Sequence, residues 1–285
     1  MTHTIDPDLL KPEAATLTYD RYLKIEELIA LQNPISTPKQ HDEHLFIIIH
    51  QVYELWFKQL LMETEDAHTA LKKSELMRFL RATGRIKRIQ EVLVSQVSIL
   101  ETMTPNDFNL FRENINPASG FQSFQFRELE FRLGSKNKAY LNFFREEAFA
   151  LKRLENALTT PSLYDVWLEY LARSGKPVPL EILNRNVGEP YVSNDSVTEI
   201  YADIYRRPAE QYDLYLCLEA FMDMDENLLL WRYRHLAMVE RMIGHRRGTG
   251  GSSGAAYLQS TLVKRFFPEI WDVRNLLGKK TGNGY

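Results

Sequence analysis

The spacing of apolar residues limits this chain to a helical fold. Through most of its 285 residues, apolar side chains return every third or fourth position with charged residues between them. That is the period of an amphipathic helix, whereas the strict alternation expected of a half-buried strand is nearly absent. The sequence contains no internal repeat and no low-complexity tract. It therefore predicts an all-α protein with a single domain over residues 1–285.

Helix start and stop signals divide the pattern into segments. Thr104 followed by Pro105 is a strong start signal, because a hydroxyl side chain caps free backbone amides and proline suits the first turn. We expect helices over residues 18–32, 42–71, 75–100, 105–116, 120–133, 140–158, 162–173, 211–242 (with a break near 224) and 253–266. The proline-containing stretch 174–195 predicts an irregular surface excursion rather than a linker between domains, because the helical pattern resumes unchanged after it.

Composition and charge exclude several classes of protein. Apolar residues make up 44% and charged residues 26% of the chain, as in ordinary soluble globular proteins. A net charge of −3 without a basic stripe gives no reason to expect nucleic acid as a partner. Cys217 is the only cysteine, which excludes an intrachain disulfide and a cysteine metal cage. With no apolar run of membrane-spanning length and no signal-peptide pattern, we expect a cytoplasmic protein without a membrane partner.

His235 and the glycine-rich segment after it predict a ligand site. His235 lies at helical spacing in an apolar stripe with Trp231 and Met238, so its imidazole is either a core hydrogen-bonding group or a neutral ligand for a metal. Residues 248–254 contain four glycines and three hydroxyl residues, which end the helix and expose backbone amides that can close over a polar ligand. The basic residues 245–247 are either a solvated helix end or a counter-charge for an acidic group of that ligand.

Two kinds of metal site are compatible with histidines on apolar helix faces. A di-iron bundle needs two Glu-x-x-His pairs, and the chain contains one, Glu65 with His68. A haem site needs one axial histidine and an apolar pocket tuned by polar groups on its second face. His50 is the candidate for the second face of the haem, because it lies on an apolar, aromatic side of its helix with Phe46 one turn before it. The alternative is a core histidine bonded to Glu54.

Arg112 is the candidate for binding a carboxylate. It follows Phe108 by one helical turn and lies beside Leu110 and Phe111. An arginine kept among aromatic residues typically holds a carboxylate in a bidentate fork. The alternative is a surface arginine whose aliphatic stem packs on Phe108.

Five segments together resemble the tryptophan 2,3-dioxygenase family. In chain order they are FIIIHQVYELWFK at 46–58, FNLFR at 108–112, PASGFQS at 117–123, WRYRH at 231–235 and GTGGSSG at 248–254. The resemblance extends from about residue 18 to the last helix. It implies an all-helical subunit with a haem pocket between helices, one haem b per subunit, and a homotetramer assembled as a dimer of dimers.

The resemblance also implies the reaction and the cofactor-binding residues. Members of the family insert O2 across the C2–C3 bond of the L-tryptophan indole to give N-formylkynurenine, the first step of tryptophan degradation by the kynurenine pathway. His235 matches the histidine that ligates the haem iron. Ser119, Gly120 and Trp231 fall at further cofactor-binding positions.

Five residues match substrate-binding positions of the family. His50 matches the catalytic distal histidine, which hydrogen-bonds the indole N–H, and Phe46 and Phe108 match the walls of the indole pocket. Arg112 matches the arginine that pairs with the substrate carboxylate. Thr249 matches the threonine that holds the substrate ammonium group together with a haem propionate. Some bacterial members carry tyrosine in place of Phe108, so we expect this chain to lack one hydroxyl contact to the carboxylate.

Tyr19 and Tyr22 match residues that the family lends to the active site of a neighbouring subunit. The resemblance thus implies that the N-terminal segment 1–40 reaches across a subunit interface. Three other functions stay open: a related haem dioxygenase acting on another indole, a haem or tryptophan sensor, and a metal-free helical scaffold.

Overall fold

Three long helices form the centre of the molecule. The computed structural model describes residues 17–250 and 253–278. Their helices are α1 (Tyr19–Leu23), α2 (Ile25–Ile29), α3 (His41–Lys72), α4 (Leu76–Leu100), α5 (Pro105–Ile115), α6 (Phe124–Leu133), α7 (Ala148–Thr159), α8 (Leu163–Arg173), α9 (Leu180–Leu183), α10 (Asp195–Arg206), α11 (Tyr212–Ile243), α12 (Ala255–Thr261), α13 (Pro268–Asp272) and α14 (Arg274–Leu277). Two 3-10 segments lie at Gly120–Gln122 and Lys138–Phe144. Helix α4 packs against both α3 and α11.

The predicted fold class is confirmed. No strand occurs in the two described ranges, and one contiguous apolar core joins the long helices. Within those ranges, no helix combines the length and apolar character needed to cross a bilayer. Residues 174–194 contain a single four-residue helix, α9, in an otherwise irregular path.

Side-chain caps explain where several helices begin. Thr104 accepts a hydrogen bond from the backbone N–H of Asp107 at 3.2 Å, and the Asp107 carboxylate accepts one from the backbone N–H of Thr104 at 3.1 Å. Pro105 occupies the first turn. This capping box satisfies amides that have no partner within the helix. The start that the sequence predicted for α5 is therefore confirmed.

Several predicted helices are divided in the structure. The predicted helix over 18–32 is two short helices separated by Lys24, whose φ of 52° is left-handed. The predicted helices over 120–133 and 140–158 each begin with a 3-10 segment before α6 and α7. At α6, the Ser123 hydroxyl accepts from the backbone N–H of Phe126 at 3.2 Å, so that helix starts only there.

The predicted break in α11 near residue 224 is wrong, and so is the predicted extent of the last helix. Asp225 leaves α11 unbroken because its carboxylate bonds outside the helix, accepting from the backbone N–H groups of Phe266 and Phe267 at 3.0 and 3.1 Å. It also accepts from Trp271 Nε1 at 3.0 Å. Those residues lie outside a helix: α12 ends at Thr261, and two short helices, α13 and α14, follow.

A buried chain of hydrogen bonds joins α8, α10 and α13. Trp167 Nε1 donates to the Tyr201 hydroxyl at 3.0 Å, which donates to the Tyr164 hydroxyl at 2.9 Å, which donates to the Glu269 carboxylate at 2.7 Å. Glu269 is completely buried. We call this set, together with Tyr191, the Glu269 cluster.

Candidate active site

A cavity of about 270 Å³ lies where α3, α5, α6, α11 and α12 meet. Its walls combine apolar side chains with a few polar groups, which is the usual character of a cofactor or substrate site. All the predicted site residues line it except Tyr19 and Tyr22: they are Phe46, His50, Phe108, Arg112, Ser119, Gly120, Trp231, His235 and Thr249. The fold thus brings residues from both halves of the chain to one place.

His235 presents a neutral imidazole to this cavity. Burial, with a smaller contribution from His50, lowers the pKa of His235 to about 4. Its ring stacks on Trp231 with centroids 5.2 Å apart and planes 13° apart. Neither ring nitrogen has a hydrogen-bond partner within residues 17–250 and 253–278. A buried imidazole that is neutral at physiological pH and free at its nitrogens can ligate a metal ion.

His50 is held in one tautomer. Its Nδ1 lies 2.7 Å from the carbonyl oxygen of Phe46, and because a carbonyl can only accept, Nδ1 carries the proton. Burial lowers the pKa of His50, so Nε2 keeps a lone pair and can accept a hydrogen bond. The predicted alternative bond between His50 and Glu54 is not formed: Nδ1 of His50 bonds the Phe46 carbonyl, and the Glu54 carboxylate accepts from Gln125 Nε2.

Arg112 directs part of its guanidinium group into the cavity. Its Nη2 donates to the carbonyl oxygen of Arg247 at 2.5 Å, while its buried Nε has no hydrogen-bond partner. Phe46 and Phe108 line the same cavity, with their ring centroids 5.8 Å apart. An N–H group left unpaired away from water is costly unless a ligand supplies the acceptor. Arg112 therefore belongs to the cavity wall, rather than being the surface arginine of the alternative interpretation.

Thr249 brings the glycine-rich segment against residues 117–120. Its hydroxyl donates to the carbonyl oxygen of Ala118 at 2.6 Å. A Cβ atom built on Gly250 would lie 2.5 Å from Cβ of Ser119, so only glycine allows this approach. Residues 251 and 252 of the predicted loop lie outside the described residues.

Nearly the whole sequence is similar to one known protein family. The sequence model of the tryptophan 2,3-dioxygenase family matches residues 4–177 and 184–277. The chain belongs to the tryptophan 2,3-dioxygenase family. The family and the enzyme class that the five segments predicted are thereby confirmed.

Relatives named tryptophan 2,3-dioxygenase match nearly the whole chain. The protein of Herpetosiphon aurantiacus is 47% identical over 258 residues, which cover 90% of this chain and 97% of the relative. That of Caulobacter vibrioides is 43% identical over 264 residues, 93% of this chain and 100% of the relative. That of an Arthrobacter species is 40% identical over 278 residues, 98% of each.

The cavity of this tryptophan 2,3-dioxygenase family member also contains a cluster of three charged residues that the sequence did not predict. Arg127 and Arg232 share the carboxylate of Glu130, at 2.6 and 3.2 Å, and all three residues are buried. Two guanidinium groups thus face one carboxylate, and the Nε atom of Arg127 has no partner. The available signal was the charged pair Arg127 and Glu130 in an aromatic-rich helix, three residues apart and therefore on one face.

Tyr19 and Tyr22 lie outside the cavity of their own subunit. Both belong to α1, and their exposed fractions of 73% and 71% are those of side chains without a local packing partner. Their part in a neighbouring active site of the tryptophan 2,3-dioxygenase family stays a prediction. Residues 1–16 of the predicted segment 1–40 lie outside the described part of the chain.

Proposed function

We propose that this protein is a haem-dependent dioxygenase that inserts O2 across the C2–C3 bond of the L-tryptophan indole to give N-formylkynurenine. The main support for this proposal is that three suitable side chains line one cavity. His235 is neutral and unpaired, His50 is neutral, and Nε of Arg112 has no hydrogen-bond partner. These are the groups required to hold a metal cofactor, an indole N–H and a carboxylate.

The residues present fit haem b, one per subunit. His235 would ligate the iron, with Trp231, Ser119 and Gly120 lining the cofactor's space. The positive excess of Arg127 and Arg232 over Glu130, with an orphaned Nε on Arg127, suits an acidic cofactor such as a porphyrin with two propionates. Within the described ranges, no group of three or more His, Cys, Asp or Glu side chains could hold a metal ion. When bound there, haem would supply the activation of O2.

His50 orients the indole ring. With Nδ1 donating to Phe46, Nε2 is available as an acceptor for the indole N–H. Oxidation at C2 and C3 does not require prior removal of that proton, so the contribution of His50 is to hold the ring in position. Phe46 and Phe108 enclose it and exclude water, which strengthens the polar contacts.

Arg112 and Thr249 hold the charged end of the amino acid. Arg112 offers Nε and the second hydrogen of Nη2 as a side-on fork for the carboxylate, while Arg247 occupies the first hydrogen. The Thr249 hydroxyl donates its hydrogen to the carbonyl oxygen of Ala118, so its lone pairs can accept a hydrogen bond from the ammonium group. The two groups match the opposite charges of a zwitterion.

The assembly belongs to the same proposal: a cytoplasmic homotetramer, a dimer of dimers, in which α1 contributes to a neighbouring active site. The support is the apolar surface that α1 and α2 leave exposed, including Tyr19, Tyr22 and Ile29. A monomer rarely leaves such a surface without a partner.

The test is the absorbance spectrum of the purified, oxygen-free reduced protein before and after L-tryptophan, and again after admitting air. We expect a haem spectrum that shifts with tryptophan and then gives the absorbance of formylkynurenine. Arg112→Ala should raise KM for tryptophan at least tenfold, because a charge-assisted hydrogen bond contributes about 1.5–3 kcal/mol. A haem spectrum without a tryptophan response would move the substrate to another indole. Binding without turnover would favour a sensor, and absence of haem after reconstitution would refute the enzyme proposal.

A further inference from the structure

The glycine-rich loop is tied to α5 by a contact outside the cavity. Arg246 Nη1 donates to Asn109 Oδ1 at 3.1 Å, and both residues are exposed. Neither side chain lines the cavity. The contact joins segments 137 positions apart in the chain.

The two residues stand next to the groups proposed to bind the charged end of tryptophan. Asn109 follows Phe108 on α5 and precedes Arg112 by three positions. Arg246 precedes Thr249 by three positions. A displacement of the loop relative to α5 would therefore change the separation of Arg112 and Thr249.

Arg246 is itself firmly placed at the base of the loop. Its Nε donates to the carbonyl oxygen of Ile243, the last residue of α11, at 3.2 Å. At the other end of the loop, Gly254 has a φ of 62°, and a Cβ built there would lie 2.4 Å from the Arg246 carbonyl oxygen. Only glycine permits that approach. Arg246 thus contacts α5, the end of α11 and the far end of the loop.

We propose that Asn109 and Arg246 are a positioning pair that sets the separation between Arg112 and Thr249, and so makes the site selective for indoles bearing both charges of an α-amino acid. This inference rests on the proposed function. The carboxylate and ammonium groups of tryptophan share one carbon, so their separation is fixed. A ligand gains from both protein groups only when those groups stand at the matching separation.

The test measures dissociation constants of reduced, haem-loaded protein for L-tryptophan and for indole-3-propionate, which lacks the ammonium group. For Asn109→Ala and for Arg246→Ala we expect roughly fivefold weaker binding of tryptophan, the effect of about one hydrogen bond. Binding of indole-3-propionate should change less than twofold. KM for tryptophan should rise with kcat nearly unchanged, because the pair touches neither the indole nor the cofactor site.

Three further variants separate positioning from general damage. Asn109→Asp keeps an acceptor for Arg246 and should restore tryptophan binding. The double variant Asn109→Ala/Arg246→Ala should bind no more weakly than Arg246→Ala alone, because Arg246→Ala already removes the contact with Asn109 together with the bond to the Ile243 carbonyl oxygen. Arg241→Ala removes another exposed arginine near the end of α11, one without an ion pair among the described residues, and should bind tryptophan as wild type does.

Unchanged tryptophan binding in both alanine variants, additive losses in the double variant, or equal losses for the two ligands would overturn the positioning role. These outcomes differ from failure of the proposed function, in which the wild-type protein itself shows no spectral response to tryptophan.

Discussion

The cavity at His235 and the Glu269 cluster are both buried polar regions, but they differ in how their hydrogen-bonding groups are satisfied. In the Glu269 cluster, one carboxylate oxygen accepts from Tyr164 at 2.7 Å. The other accepts from Tyr191 at 2.5 Å and from the backbone N–H of Asn194 at 2.9 Å. No polar side-chain atom of this cluster is without a partner.

The cavity is the opposite case. The buried Nε atoms of Arg112 and Arg127 have no partner, and within the described part of the chain neither nitrogen of His235 does. Leaving a buried polar atom unpaired costs about 1–3 kcal/mol. A satisfied polar cluster therefore stabilises the fold, whereas unpaired groups around a cavity indicate where a ligand completes the structure.

Removing His235 tests the unpaired groups of the cavity. His235→Ala should reduce haem content to nearly none, because the side chain proposed to hold the iron is lost. Haem content is measured by the pyridine haemochrome spectrum, with circular dichroism to check that the variant folds. His68→Ala is a matched control, since His68 Nε2 is also buried without a partner but lies outside the cavity. Equal haem retention by both variants would refute the ligand assignment.

Glu269→Ala tests the Glu269 cluster, whose polar groups are all hydrogen-bonded. Removing the carboxylate leaves the donors of Tyr164, Tyr191 and Asn194 without an acceptor, and the free energy of unfolding should fall by about 4 kcal/mol. Urea denaturation measures this loss, while haem content per folded molecule should stay unchanged. A loss under about 1 kcal/mol would show that the cluster is not a structural element.

The stability of the haem-free protein should depend on pH through His235. The pKa of His235 is lowered from 6.5 to about 4, so below pH 6.5 the unfolded chain binds a proton that the folded state refuses, and stability falls towards pH 4. Relative to His235→Gln, wild type should lose about 2 kcal/mol between pH 7 and pH 5. Burial raises the pKa values of Asp225 and Glu269, which titrate with the opposite sign, so the difference between the two proteins is the informative quantity. If the free energies of unfolding of wild type and His235→Gln changed in parallel with pH, the lowered pKa of His235 would be contradicted.

Phe108 lines the part of the cavity proposed to enclose the indole, and a hydroxyl group added there should change tryptophan binding only slightly. Phe108→Tyr should leave haem content unchanged and tighten tryptophan binding by at most about 1 kcal/mol, because it adds one hydroxyl beside Arg112. Spectral titration with L-tryptophan measures the change. Weaker binding would mean that the aromatic packing of Phe108 on Phe46 and Phe111 leaves no room for the hydroxyl.

Part of this structure was predictable because its causes are local. The capping box of Thr104 and Asp107 depends on residues three positions apart, and it placed the start of α5 correctly. Local pattern failed at Asp225, where polar residues near 224 predicted a break. Acceptor and donors there are separated by 41 residues or more, so no local pattern contains them.

The same division applies to the site. The sequence singled out His50, Arg112 and His235 as candidates through their helix faces, and the resemblance to the tryptophan 2,3-dioxygenase family added Thr249. They offered the pair Arg127 and Glu130 on α6 but not the charge excess around Glu130, because the second arginine, Arg232, lies on α11. Nor did they indicate that Arg246 contacts α5.

By itself, then, the sequence determined the all-α class, most helix starts and the identity of the residues suited to the chemistry, because side-chain period, caps and residue type act within a few positions. Only the tertiary structure decided which polar groups are paired and which remain open to a ligand. The tautomer of His50 is a local matter, but the neutrality of His235 and the orphaned Nε atoms of Arg112 and Arg127 depend on what α3, α5, α6 and α11 bury together. Burial is a property of packing, and packing joins residues far apart in the chain.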